Sequence, residues 1–244
     1  MSKLSPDSIQ QDQMWMQFAL AEAETAIYRT RPNPAVGCVI VKDHQIVGRG
    51  ATAPVGGSHA EVFALKQAGD QAQGATAYVT LEPCAHYGRT PPCANGLVEA
   101  GISRVVIACS DPNPLVAGKG VQILKNAGIE VLQGVCEAQA AAQNRGFLKA
   151  IATGMPYVRL KVASSLDGRT AMASGESKWI TGTEARQDVQ HWRAISGVVI
   201  TGIETVLADD CQLNVRQLDG IADISTIVQP KRLVLDRQGR LPLD

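Results

Sequence analysis

The chain has 244 residues, 45% of them hydrophobic, with 23 basic residues balancing 23 acidic ones. That is enough apolar material for a substantial core, and the length predicts one complete domain plus a second, incomplete one. The charge balance offers no basic field for nucleic acid and no acidic tail, which excludes a polynucleotide-binding surface spread over the protein.

Met1 to Gln13 is polar and lacks the apolar core of a signal segment, and no later apolar run approaches bilayer length. A cytoplasmic, soluble protein with no membrane partner is expected. Met14, Phe18, Ala21 and Ile27 recur at near-helical spacing, which predicts an amphipathic helix over residues 12–28 packed through that face. Arg31-Pro32-Asn33-Pro34 stops it. Val36 to Lys42 and Gln45 to Gly50 are β-rich runs joined at Asp43-His44, a hairpin in which His44 is a turn residue. Helices over 59–68, from about 93 to 100 and over 120–127 then alternate with strands over 76–81, 104–109 and 129–132, and 137–150 is an alanine-rich helix. Such alternation after one hairpin predicts a central sheet covered by helices on both faces. Six cysteines at irregular spacings do not form a disulfide framework in a chain of this size. Cys38, Cys109, Cys136 and Cys211 lie in or beside apolar runs and read as reduced and packed.

The stretch from His59 to Cys93 carries the chemistry. It holds His59-Ala60-Glu61, then Pro83-Cys84 after a strand, then Cys93. One imidazole and two thiolates are a three-ligand zinc set with a fourth position open to water, the pattern of a catalytic site. Glu61, two residues past the histidine, stands beside such a metal without ligating it and is placed to move protons. Zinc deaminases of nucleobases have this order, His-x-Glu followed by Pro-Cys and a second Cys, but with two residues between the cysteines where this chain has eight. A lone histidine or cysteine is more often a packed core residue; the combination is what points to zinc.

Two loops are unusual. Asn33-Pro34-Ala35-Val36-Gly37 precedes the first strand, and Asp111-Pro112-Asn113-Pro114 follows the strand ending at Cys109, at the carboxyl edge where α/β proteins hold ligands. Turn chemistry and a ligand-facing role fit these residue types equally. Together with His59-Ala60-Glu61, Pro83-Cys84 and Arg89-Thr90-Pro91-Pro92-Cys93, the two loops resemble the deaminase domain of the bifunctional riboflavin-biosynthesis deaminase/reductase family. The resemblance implies a three-layer cytidine-deaminase-like α/β domain followed by a dihydrofolate-reductase-like α/β domain. It implies that His59, Cys84 and Cys93 bind zinc, that Glu61 is the proton shuttle, and that Asn33, Arg89 and Asn113 contact a small pyrimidine phosphoribosyl substrate. Thr52 stands where the family is expected to carry a histidine, so that role is reassigned or lost here.

Gly154-Met155-Pro156 predicts a boundary, with residues 1–152 as the first domain and 153–244 as the second. A β-rich run over 157–163, a helix over 183–194, a short buried strand over 198–202 and a strand over 232–236 follow. No Gly-x-Gly-x-x-Gly follows a strand, so spacing alone names no dinucleotide site. Lys161-x-Ala163-x-Ser165-Leu166-Asp167-Gly168, Ser177-x-Trp179 and Asp209-Asp210-x-x-Leu213-x-Val215-Arg216 resemble the reductase domain of the same family. By that resemblance Ala163, Trp179, Thr205 and Asp209 lie along NADPH, while Lys161, Ser177, Arg193, Leu213 and Arg216 hold the sugar-phosphate substrate. Cys211 stands where a proline is expected. Family members continue past residue 236 through further strands and a glycine-rich cofactor loop. The chain is therefore expected to break within the reductase domain, to deaminate, and to reduce poorly or not at all. An unfinished sheet edge would also open a route to a homo-oligomer. The rival readings are a nucleoside or transfer-RNA deaminase, disfavoured by the second domain and the neutral charge, and a zinc-stabilised binding module without turnover.

Overall fold

The computed structural model describes residues 6–85, 92–113 and 117–241, in two compact units that divide between Tyr157 and Val158. The expected division lay after residue 152. The last helix of the first unit runs to Thr153, and Tyr157 still packs under Arg145 and Lys149 of that helix.

The first unit is built on a five-stranded sheet of order β2-β1-β3-β4-β5. Its strands are β1 (Gly37–Lys42), β2 (Gln45–Ala51), β3 (Thr76–Leu81), β4 (Arg104–Cys109) and β5 (Glu130–Gln133). Strand β1 is antiparallel to β2 and β3, and β3, β4 and β5 run parallel. Asp43 and His44 take φ of 49° and 59°, the left-handed pair that a two-residue hairpin demands. Strands β3 and β4 are buried almost throughout, because helices cover both faces and leave no side for polar residues.

The helices are α1 (Pro6–Glu24), α2 (Ala60–Ala68), α3 (Cys93–Glu99), α4 (Lys119–Asn126), α5 (Glu137–Gln143) and α6 (Arg145–Thr153). Helices α1 and α5 pack on one face, α2, α3 and α4 on the other. Glycines on the strands set how close they come. A Cβ on Gly37 would overlap the carbonyl oxygen of Ala19 in α1, and one on Gly50 that of Ala60 in α2.

Two expectations for these helices fail. Helix α1 begins at Pro6 and ends at Glu24, and it buries Trp15, Met16, Ala19, Leu20 and Ala23; Met14 and Phe18 are 45% exposed and Ala21 is exposed too. Of the expected face only Ile27 is buried, and it lies past the helix end; apolar residues occupy both sides of the helix itself, so for Met14, Phe18 and Ala21 periodicity alone chose the wrong face. The small alanines are buried because they permit the close approach at Gly37. The alanine-rich run over 137–150 is two helices, broken at Asn144.

The second unit contains α7 (Thr183–Ile195), β6 (Val198–Gly202), α8 (Ile203–Asp209) and β7 (Lys231–Leu235), with β6 and β7 paired in parallel. Helix α8 has no counterpart among the expected elements. Strand β6 is not buried as expected, since Val198 and Ile200 are 47% and 59% exposed. Among the described residues the run over 157–163 forms no strand and joins neither sheet. Among the described residues no helix is long and apolar enough to cross a membrane.

Candidate active site

Because β1 is antiparallel to β3, its first residue lies at the carboxyl end of β3, where the Gly37 N–H donates to Thr80 Oγ1 at 3.1 Å. Leu81 at the end of β3 pairs with Cys109 at the end of β4. The loops around 33–36, 52–59, 82–84 and 110–113 therefore open on one edge of the sheet.

At that edge His59 is the residue before the first turn of α2, with extended backbone and no capping bond from its side chain. Its ring is free to face the cysteines. Nδ1 lies 3.2 Å from the Cys93 sulfur and 3.6 Å from the Cys84 sulfur, and the three ligand atoms are all within 4.8 Å of one another. Tetrahedral zinc with ordinary bond lengths places its N and S ligands about 3.5–3.8 Å apart, so the set fits that ion. Cys93 opens α3, where main-chain N–H groups lack helical acceptors, and its N–H donates to the Cys84 sulfur at 3.2 Å. Hydrogen bonding from Cys93 and His59 holds the Cys84 thiol well below the usual range, while the bond to Cys84 and burial push Cys93 up. A sulfur that favours the thiolate, with a second sulfur and an imidazole nitrogen beside it, is a donor set suited to a divalent cation.

Glu61, on the first turn of α2, is only 3% exposed. Burial pushes its carboxyl up, opposed by its own backbone N–H and by His59. Buried Cys38 on β1 is pushed up by burial and by the charge of Glu61. The arrangement places a buried carboxyl beside three side chains that could hold a metal ion.

Of the expected pyrimidine contacts, Asn33 is exposed, with its N–H donating to Thr30 O at 2.9 Å. Asn113 is half-buried in a turn in which its N–H donates to Asp111 Oδ1 at 2.8 Å. Arg89 lies outside the described residues. Thr52, at the position expected to be histidine, is buried and turned to the backbone: Oγ1 accepts the Val36 N–H at 3.0 Å. Two buried residues had not been anticipated. Glu82 accepts N–H groups from Gly118 and Val121 at 3.2 and 3.3 Å and so holds the start of α4; its place directly before Pro83-Cys84 was the available signal. Asn144 binds Ala35 from 109 residues away and carried no signal.

In the second unit Lys161, Trp179, Thr205, Asp209 and Arg216 are exposed, and Ala163, Ser177, Arg193 and Leu213 are half-buried. Thr205 and Asp209 lie on α8, and Arg193 on α7. Arg193 Nη1 donates to Asn214 O at 3.1 Å. Burial and then the nearby charge of Arg216 lower its pKa, so these two guanidinium groups stand within electrostatic reach of each other.

Residues 9–109 match the family model for the cytidine and deoxycytidylate deaminase zinc-binding region, and residues 156–244 match that for the RibD C-terminal domain. The chain is 55% identical over 237 residues to riboflavin biosynthesis protein RibD of Haemophilus influenzae, covering 95% of this chain and 64% of that protein. It is 52% identical to RibD of Escherichia coli, covering 95% and 65%. The structure of Acinetobacter baumannii RibD, form 1, superposes with a TM-score of 0.91 at 74% identity, over 96% of this chain and 66% of that one. The Thermotoga maritima diaminohydroxyphosphoribosylaminopyrimidine deaminase/5-amino-6-(5-phosphoribosylamino)uracil reductase gives 0.88 at 40% identity, over 97% and 66%. The chain spans just under two thirds of the length of the curated relatives it matches. With one family model over each of its units and this identity along nearly its whole length, it belongs to the RibD family of riboflavin biosynthesis proteins.

Proposed function

We propose that this chain catalyses the hydrolytic deamination of 2,5-diamino-6-ribosylamino-4(3H)-pyrimidinone 5′-phosphate, a step of riboflavin biosynthesis. The observation that carries the reading is the buried Glu61 beside three ligand atoms that all lie within 4.8 Å of one another. His59, Cys84 and Cys93 would hold zinc, and Asn33, Arg89 and Asn113 would bind the pyrimidine phosphate. Bound there, zinc supplies the Lewis acidity that makes water a nucleophile near neutral pH. Glu61 takes a proton from the attacking water through a carboxylate oxygen and delivers it to the ring nitrogen beside the carbon under attack. The carbon–oxygen bond forms as the C=N electron pair moves onto that nitrogen. Glu61 then carries the second proton from the new hydroxyl to the amino group. The exocyclic C–N bond breaks, ammonia leaves, and the ring keeps a carbonyl.

The second unit supports a reductase role for the longer family enzyme, with Ala163, Trp179, Thr205 and Asp209 toward NADPH and Lys161, Ser177, Leu213 and the two arginines toward the sugar phosphate. Two guanidinium groups close enough to repel each other suit a phosphate, which relieves the repulsion and accepts forked hydrogen bonds. A small-molecule substrate accords with the zero net charge, and six unpaired thiols suit a reducing cytoplasm.

Ammonia release from the pyrimidine phosphate by the 244-residue chain, loaded with one zinc, tests the proposal. Release should stop with chelator and return with zinc. Full zinc loading without ammonia would instead make the protein a binding module. NADPH oxidation followed in the same reaction tests whether this chain also reduces its product.

A further inference from the structure

Helices break for identifiable reasons, usually proline, glycine or an inserted group, yet the run over 137–153 breaks at an asparagine. Asn144 has φ −110° and ψ 21°. An asparagine in front of a helix ordinarily caps it, but the Asn144 side chain makes no bond to the start of α6. Both amide atoms go instead to Ala35. Oδ1 accepts the Ala35 N–H at 2.9 Å, and Nδ2 donates to the Ala35 carbonyl at 2.8 Å. These backbone partners fix which end of the amide is oxygen. Asn144 is 6% exposed, so water does not compete for the pair.

The next two residues are held in the same way. Thr52 Oγ1 accepts the Val36 N–H and Thr80 Oγ1 the Gly37 N–H, at 3.0 and 3.1 Å. Three consecutive peptide N–H groups thus end on buried side-chain oxygens from three separate parts of the chain, and each would be an unsatisfied donor without its partner. Asn33, exposed, stands two residues before the first.

We infer that Asn144 is a positioning residue for the deamination reaction, acting through Ala35 to hold Asn33 at the sheet edge that carries His59, Cys84 and Cys93. The inference rests on the proposed contact between Asn33 and the pyrimidine. The break between α5 and α6 falls at the residue that makes these two bonds.

The test compares Asn33→Ala, Asn144→Ala, Asn144→Asp and the double variant Asn33→Ala/Asn144→Ala in the 244-residue chain, reading KM and kcat for ammonia release, zinc content, and hydrogen exchange at residues 31–38. Asn144→Ala should raise KM about tenfold, keep kcat within about twofold, retain zinc, and speed exchange at Ala35 and Val36. Asn144→Asp keeps the acceptor for the Ala35 N–H and loses the donor, so its KM should fall between. The double variant should be little worse than Asn33→Ala alone, because the two residues act in series. A raised KM in Asn33→Ala with an unchanged KM in both Asn144 variants would overturn the inference, as would lost zinc with KM intact. If Asn144→Ala does not fold, faster exchange with normal KM in Asn144→Asp overturns it equally. An unchanged KM in Asn33→Ala would sink the substrate contact itself, which is a distinct failure.

Discussion

In the first unit Val79, Val105 and Ile107 have no exposed surface, whereas in the second Val158, Leu160 and Val162 keep 77%, 85% and 60% of theirs. Both segments are rich in β-branched and aliphatic residues, and both read as strands. The difference is the layer around them. Strands β3 and β4 have paired neighbours on both sides and helices above and below, while among the described residues the 157–163 run belongs to no sheet, although Tyr157 meets Arg145 and Lys149 and Arg159 lies over the Trp192 ring. An apolar pattern therefore states a capacity to be buried, and only a partner realises it. The consequence reaches the chemistry, because a side chain is held to catalytic tolerance only by the packing behind it. His59, Glu61, Cys84 and Cys93 have that support. Lys161, Trp179, Thr205 and Asp209 stand on exposed segments.

The sharpest way to test this contrast is at Glu61. Glu61→Gln keeps shape and burial but cannot take up and return a proton, so kcat for ammonia release should fall about 10²–10⁴-fold with zinc content unchanged. Thermal stability should hold or rise, since a neutral amide is less costly to bury than a carboxylate. Retained turnover with full zinc would remove Glu61 from the mechanism. A smaller effect, on stability, is expected at Leu97, which is fully buried in α3 one turn after Cys93. Leu97→Ala should cost about 2–5 kcal/mol by chemical denaturation of the first unit. It should also weaken zinc retention, because the cavity loosens the helix that presents Cys93.

Much of the first unit was legible in advance. Strands β3 and β4 begin and end where their apolar runs do, and the hairpin follows from Asp43-His44, residues that tolerate positive φ. His59, Cys84 and Cys93 stood out because those residue types in that order are costly to explain as core, and the fold does bring their ligand atoms together. What could not be read depends on distant partners. The buried face of α1 is chosen by Gly37, not by its own weak periodicity. The break at Asn144 falls where its amide binds Ala35, and the hydroxyl of Thr52 is spent on Val36. Helix α8 escaped notice because it is short and follows directly on β6 at Gly202.

The smallest expected effect is at Leu160. By residue type Leu160→Ala equals Leu97→Ala, and a reading from sequence alone would rank the two together, since each leucine sits in an apolar run. Leu160 is 85% exposed, so its truncation removes little contact, leaves no cavity, and should change stability by less than about 0.5 kcal/mol. Measured side by side on one chain, the two substitutions hold chemistry constant and vary only burial. If Leu160→Ala cost as much as Leu97→Ala, the 157–163 run would have to be covered in solution, and the contrast between the units would vanish. If it costs nothing while Leu97→Ala destabilises the zinc-bearing unit, then packing, not composition, is what separates a unit with a formed site from one that carries only its motifs.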